Sequence, residues 1–329
     1  MERIKKKSKY TVVSLFSGIG GLDLGFEFAG FKVIWANDFD KYAVMTYRKN
    51  VNDNIHLGDI RKLKDSIPNH DVLIGGFPCQ PFSTLGKLAG FKDENRGNLF
   101  FEIADIISKR KPKIVVLENV KNLLNHDKGK TFNTIKTVLE DLNYTVYYSI
   151  LNSKDFGVPQ QRNRIFIVAI NKEMFKSADF KFPKPTKLSI TTQDLLDSSV
   201  DKKYFLTRKI SKTILGEGTK GYIVKPTIDK QISKTLCATM HKMHRASQDN
   251  YVTDQSSFSL FKDDNRINIR KLTPNECRKL QGFPSEWEQV VSDCQAYKQF
   301  GNAVTVNVAY EVAKVVYRYL EENLLWVST

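Results

Sequence analysis

The residues of this 329-residue chain most able to do chemistry begin with a cysteine between two prolines. In Asp71-Val72-Leu73-Ile74-Gly75-Gly76-Phe77-Pro78-Cys79-Gln80-Pro81-Phe82-Ser83, the apolar run Val72-Leu73-Ile74 reads as a short buried strand ended by two glycines. Pro78 and Pro81 each fix φ, so the loop carrying Cys79 has few conformations. The glycines permit close approach of a backbone or a ligand. A structural cysteine packs as a small hydrophobe within an apolar face. Cys79 instead stands on a rigid polar loop at a strand end, where α/β enzymes place nucleophiles. Glu118 follows the apolar strand Lys113–Leu117, so an acid and a nucleophile share one sheet edge, the edge at which open α/β sheets bind ligands. Arg162 and Arg164 alternate into the strand Ile165–Ile170. That spacing puts both on one face, for a base edge or a phosphate, with plain surface charge as the alternative.

The elements that must position these groups alternate between strand and helix. Thr11–Phe16 is a β-rich run, Ser17-Gly18-Ile19-Gly20-Gly21 a glycine turn, and Leu22–Ala29 a helix by its apolar spacing, closed by Gly30. A second strand, Phe31–Ala36, ends at Asn37-Asp38. An acid twenty positions past Gly18 can accept hydrogen bonds from ribose hydroxyls, which points to an adenosine-type cofactor. The turn lacks the third glycine of a dinucleotide fingerprint, and Asp23 in the first helical turn would repel a pyrophosphate. A cofactor without phosphate fits better than a nicotinamide dinucleotide. Asp59, after Gly58, either receives an adenine amino group or caps a helix. Gly86–Gly97 reads as a flap. Asn98–Arg110 and Thr131–Leu142 are amphipathic helices, Tyr144–Leu151 is a strand, and Val304–Leu320 is a last helix that packs back on the sheet of the first half.

Bulk properties bound the alternatives. With 41% hydrophobic residues in periodic segments the chain is globular, and no run approaches the ~20 apolar residues of a membrane span. No secretory signal follows the basic start, and the four cysteines form no CxxC pair, which argues against zinc and disulfides and for a cytoplasmic protein. The formal net charge is +15, and between Lys202 and Arg245 eleven Lys and Arg stand against Glu217 and Asp229 alone. Such concentration suits a phosphate backbone.

Six blocks in order resemble the cytosine carbon-5 DNA methyltransferases, particularly those of bacterial type II restriction–modification systems. They are Leu15-Phe16-Ser17-Gly18-Ile19-Gly20-Gly21, Gly76–Ser83, Glu118-Asn119-Val120, Gln160-Gln161-Arg162-Asn163-Arg164, Arg270–Glu276 through Leu280–Pro284, and Gln299–Val304. The resemblance implies an α/β fold of the S-adenosylmethionine-dependent methyltransferase kind. That fold is a Rossmann-like mixed sheet with helices on both faces, plus a smaller target-recognition domain. It implies a catalytic and cofactor domain from 1–185 with 295–329, target recognition in 186–266, and a hinge and interface segment at 267–294.

It also implies roles. Cys79 adds to carbon 6 of a cytosine flipped out of double-stranded DNA, Glu118 supplies a proton at ring nitrogen 3, Arg164 holds the base oxygen and Arg162 supports the site. S-adenosyl-L-methionine is the implied cofactor, held by Phe16, Gly18, Gly20, Asp38, Phe39, Asp59, Ile60, Pro78, Leu99, Asn302 and Val304. Ser14 and Ala303 depart from the residues many relatives carry, Asp and Ser. The DNA-contact candidates are Ser83, then Lys234 and Thr235, where Lys234-Thr235-Leu236 resembles the family's Thr-Leu phosphate element, and, by side-chain chemistry in a region that matches no motif, His241, Lys242, His244, Arg245, Ser247, Gln248 and Asn250 as base-edge groups. No metal and no membrane are expected, a monomer suffices, and a partner restriction endonuclease encoded nearby is implied. An RNA substrate is disfavoured by the absence of a Cys-Phe-Thr tripeptide, and a silent DNA-binding module by the intact Cys79, Glu118 and Arg164.

Overall fold

The computed structural model describes residues 8–78, 99–175, 179–216, 226–242, 244–260 and 265–323. Contacts sort the chain into two compact units. The first takes Met1–Leu151, Asn163–Lys184 and Val308–Thr329, and the second takes Asn152–Arg162 and Pro185–Asn307.

In the first unit β1 (Thr11–Leu15) leads through the glycine turn into α1 (Gly21–Phe28), then β2 (Lys32–Asp38), α2 (Lys41–Asn50), β3 (Ile55–Leu57) and α3 (Ile60–Leu63). After these come β4 (Val72–Gly76), α4 (Leu99–Arg110), β5 (Ile114–Val120), α5 (Lys130–Asp141) and β6 (Tyr144–Asn152). The two-residue β7 (Gln160–Gln161) belongs to the second unit, and β8 (Asn163–Asn171) returns to the first. The sheet order is β3-β2-β1-β4-β5-β8-β6. The first five strands in that order pair in parallel, and β8 runs antiparallel to β5. Parallel neighbours need crossover connections, so their carboxyl ends all fall on one edge.

Strand residues alternate between faces. Val13, Leu15, Leu73, Val115, Leu117 and Ile165 share one core cluster with Phe100, Ile103 and Ile107 of α4 and Phe132, Ile135 and Leu139 of α5. Residues of the opposite parity, Val12, Ile74, Val116 and Val168, are just as buried, so both faces of the sheet are covered. The closing helix (Val306–Asn323) approaches α1 closely. A Cβ on Gly25 would lie 2.4 Å from Ala309 Cβ and 2.6 Å from the Tyr310 nitrogen, a contact that only glycine permits.

The second unit holds β9 (Phe205–Thr207), α6 (Arg208–Leu215), β10 (Ser233–Lys234), β11 (Tyr251–Thr253), α7 (Gln255–Phe258), β12 (Arg266–Lys271), α8 (Pro274–Leu280) and α9 (Asp293–Asn302). β12 is the middle strand of an antiparallel sheet with β11 and β9, and β10 pairs with β7 in parallel. The segment 267–294 therefore supplies most of a central strand and the whole of α8. At its start Arg270 is fully buried, with Nε 2.7 Å from Asp254 Oδ2 and both terminal nitrogens 2.8 Å from the Glu276 carboxylate. Glu276 also closes the capping box of α8 by accepting from the Thr273 amide.

Removing one member of a buried ion cluster strands the others without water. Arg270→Ala is expected to lower unfolding free energy by about 3–5 kcal/mol. Lys9→Ala, which removes the exposed pair with Glu321, is expected to leave stability nearly unchanged. Urea unfolding followed by circular dichroism checks both.

Candidate active site

Every described site candidate in the first unit stands at one edge of the sheet, because five parallel strands end there. At the end of β1, Phe16 takes φ 55°, a left-handed conformation costly for a residue with a side chain, and Gly18 and Gly20 follow at 55° and 86°. A Cβ on Gly20 would sit 2.8 Å from Val51 and 3.0 Å from the Tyr47 ring. A Cβ on Gly18 would meet nothing within 4 Å, so a ligand can reach that backbone. Asp38 ends β2, buried, with Oδ2 accepting from the Gly18 amide and Oδ1 from the Asp40 amide. Burial pushes its carboxyl above the usual range. Each oxygen keeps a second lone pair for an incoming hydroxyl. Phe39 is 76% exposed, an apolar platform at the strand end. These features (open space over Gly18, a buried acid and an exposed aromatic) fit an adenosine-type ligand.

Farther along the edge, Asp59 caps α3 by accepting from the Arg61 amide, and its carboxylate also pairs with the Arg61 guanidinium, which holds its carboxyl below the usual range. Ile60 is buried beside it, Pro78 is exposed after β4, and Leu99 opens α4 half-buried. Asn37 went unnoticed in the sequence. Its Nδ2 donates to the carbonyls of His56 and Gly58, fixing the end of β3 against β2.

Glu118 and Arg164 meet because β5 and β8 are antiparallel, with Val120 opposite Arg164 and Glu118 opposite Phe166. Arg164 Nε lies 3.2 Å from Glu118 Oε1, with the side chains 17% and 10% exposed. Arg164 Nη1 also donates to the Asn163 carbonyl. Asn119 between them is the second residue that sequence reasoning passed over. Its Nδ2 donates to the Phe77 carbonyl at 2.9 Å, and its Oδ1 accepts from the Val120 amide. It ties the end of β5 to the backbone one residue before Pro78. Cys79 and Ser83, like the flap Gly86–Gly97, lie outside the described residues.

In the second unit Arg162 does not share a strand face with Arg164, as the alternation had suggested. It precedes β8 and is 1% exposed. Its Nη1 donates to the Leu236 carbonyl, and its Nη2 to those of Gly301 and Ala303. Gln160 adds Nε2 to the Leu280 carbonyl and accepts from the Leu236 amide, while Gln281 donates to the carbonyls of Phe300 and Ala303. Asn302 is exposed at the end of α9 and Val304 half-buried after it. Ala303 acts through its carbonyl.

The DNA-contact candidates cluster around β10. Thr235 spends its hydroxyl hydrogen on the Gln161 carbonyl at 2.6 Å. Lys234 Nζ reaches the Ala246 carbonyl, and burial pulls its amine below the usual range. Asn250 brackets the Lys234 backbone with both ends of its amide. His244 stacks on Tyr251, with its imidazole pulled below its usual value by burial, and His241 Nδ1 faces the Ala238 carbonyl. Arg245 binds Gln248 and Thr239, whereas Lys242, Ser247 and Gln248 are exposed. Among the described residues, no group of three or more His, Cys, Asp or Glu is disposed to hold a metal ion, and no helix is long and apolar enough to cross a membrane.

Residues 10–318 match the family model described as C-5 cytosine-specific DNA methylase. The chain is 41% identical to the type II methyltransferase M1.ScrFI of Lactococcus lactis subsp. cremoris over 97% of its own length and 81% of that protein's. It is 43% identical to M.SsoII of Shigella sonnei over 96% and 82%, and 36% identical to M.HhaI of Haemophilus parahaemolyticus over 92% of each. Among solved structures, a DNMT2 of Spodoptera frugiperda shares the fold with a TM-score of 0.71 at 21% identity, covering 94% of this chain and all of that one.

Asn119→Ala leaves the buried Phe77 carbonyl without its donor, and the expected cost is about 1–3 kcal/mol of stability. Urea unfolding measures this, and hydrogen exchange at Phe77 and Val120 should quicken more than in β1.

Proposed function

The chain belongs to the C-5 cytosine-specific DNA methylase family, and on that premise we propose how this DNA cytosine-5-methyltransferase divides its work among the residues described above. The observation that carries the reading is the Glu118–Arg164 pair, nearly buried at the edge where β4 also ends, with Cys79 directly after Pro78 in the chain.

Cytosine is too poor a nucleophile at carbon 5 to take a methyl group unaided. The Cys79 thiolate adds to carbon 6, which pushes electron density onto carbon 5. A free thiol near about pKa 8.5 is a minor thiolate at neutral pH, so the site must favour the ionised form. Glu118, carrying a proton, gives it to ring nitrogen 3 as the sulfur adds, and its other oxygen accepts from the exocyclic amine. A guanidinium has five N–H donors. With one on Glu118 and one on the Asn163 carbonyl, Arg164 keeps others for the base oxygen. S-adenosyl-L-methionine, when bound, supplies the methyl group that carbon 5 takes. Water then takes the carbon 5 proton, the freed electron pair restores the 5,6 double bond and Cys79 leaves as thiolate, while ring nitrogen 3 returns its proton to Glu118.

The turn at Gly18 and Gly20, with Phe16, Phe39, Asp38, Asp59, Ile60, Pro78 and Leu99, would hold that cofactor, Asp38 toward the ribose and Asp59 toward the adenine amine. Asn302 and Val304 are proposed as further cofactor contacts. Arg162 would act as a structural clamp on the carbonyls of Leu236, Gly301 and Ala303. The target base must leave the duplex, since carbon 6 is unreachable in the stack. The basic second unit, through Lys242, Arg245, Lys234, Thr235, His241 and His244 with Ser83, would grip the flanking DNA. The chain would work as a cytoplasmic monomer on a short specific site, guarding host DNA against a partner restriction endonuclease.

Bisulfite sequencing of plasmid from expressing cells tests the reading. Methylcytosine at one fixed sequence, absent with Cys79→Ala, is the expected outcome. A blank plasmid with wild-type protein, or unchanged methylation with Cys79→Ala, would overturn it. Glu118→Gln is expected to lower kcat about a hundred- to ten-thousand-fold, measured by tritium transfer.

A further inference from the structure

Beneath the glycine turn lies a polar chain that the mechanism above does not use. Asp23, in the first turn of α1, is fully buried. Its Oδ2 accepts from the Ser14 hydroxyl at 3.0 Å and its Oδ1 from the Tyr47 hydroxyl at 2.9 Å. The Ser17 hydroxyl donates to Ser14 Oγ at 2.9 Å, and Ser17 Oγ accepts from the Asn37 amide at 3.3 Å. The Ser17 hydroxyl also faces the Ser14 carbonyl at 3.2 Å, so its hydrogen is shared between the two Ser14 oxygens, while the Ser14 and Tyr47 hydroxyls both donate to the carboxylate, one to each oxygen. The chain ties β1, the turn, α1, α2 and β2 together. The Tyr47 ring also fills the space that a Cβ on Gly20 would take.

We propose that Asp23 is a positioning residue for the cofactor, its ionised carboxylate ending a chain of hydroxyl donors that fixes the Phe16–Gly20 turn. This rests on the cofactor reading proposed above. An ionised carboxylate accepts from both hydroxyls at full strength, one on each oxygen. A proton on Asp23 weakens it as an acceptor and is itself donated toward Ser14 or Tyr47, so the hydroxyl on that oxygen has to turn round and one of the two ties is lost. The titratable groups facing Asp23 are Tyr47 from α2 and Glu27 one turn along α1, while β1 offers only the Ser14 hydroxyl. Among the described residues no cation pairs with it, and burial pushes the Asp23 carboxyl up to about 7. The sign follows. Above that value the chain is intact, and as pH falls through it Asp23 protonates and cofactor affinity declines. Folding stability runs the other way, since a carboxyl raised above its unfolded value destabilises the fold as it ionises.

The experiment is calorimetric titration of the full chain with S-adenosyl-L-methionine and with S-adenosyl-L-homocysteine, at about pH 6 and about pH 8. Wild-type protein is expected to bind both ligands several-fold more weakly at the lower pH. Asp23→Asn is expected to bind about tenfold more weakly at the higher pH and to show a flat profile. Its KM for the cofactor should rise while its KM for DNA stays put, a split that general loosening would not give. Ser14→Ala, which cuts the chain and keeps the carboxylate, is the second variant should Asp23→Asn fail to fold, and weakened cofactor binding is expected of it. Variants with wild-type affinity and the wild-type pH profile would overturn this inference alone. A wild-type protein that binds neither ligand would overturn the cofactor reading, and this one with it.

Discussion

Parallel strands joined by crossovers have no choice about where they end. Once β3, β2, β1, β4 and β5 pair side by side, their carboxyl termini form one row, and whatever follows each strand becomes a neighbour of whatever follows the next. The glycine turn, Asp38, Asp59, Pro78 and Glu118 are distant in sequence and close to one edge for this reason alone. The exception to the rule completes the site. Because β8 runs antiparallel, its beginning rather than its end lies on the same edge, and Arg164 at that beginning reaches Glu118.

A second physical demand, that buried polar groups be paired, gives several motif residues a task within the fold. Asn119, Asn37, Gln160, Arg162 and Gln281 spend their donors on backbone carbonyls. Each immobilises a chain segment next to a chemically active residue. In the second unit Arg270 meets the demand differently, with two carboxylates. Removing one such side chain leaves carbonyls or charges stranded, so these positions tolerate little change.

Much of this was legible in the sequence, and the rest shows where sequence signals fail. β1, β5 and β8 announced themselves as unbroken apolar runs, and α4 and α5 by helical spacing, because these elements are buried on a definite face. α2 gave no such signal. Its buried positions, Ala43, Val44, Thr46 and Tyr47, include only one strongly hydrophobic side chain, and its start is marked by the Asp40 cap alone. Glu118 and Arg164 were found from strand-end position and motif wording. Arg162 was misplaced on the face of Arg164, because spacing of two presumes that the strand has already begun, and β8 begins only at Asn163. In the sequence Asp23 counted as a charge that would repel a pyrophosphate. Its burial depends on Ser14 and Tyr47, nine residues before it and twenty-four after it, and no local pattern reports that.

The Gln160 amide has a consequence for how such a chain can change over time. With one end it accepts from Leu236, and with the other it donates to Leu280. The intervening segment, with β11, α7 and β12, thus leaves and re-enters at two points held by a single side chain. Closing a loop between anchored ends costs entropy that grows only slowly with its length. A lineage can lengthen, shorten or exchange much of what lies between those anchors and leave the clamp unaltered. The fold separates its inheritance into a part that is fixed by pairing and a part that is free to drift.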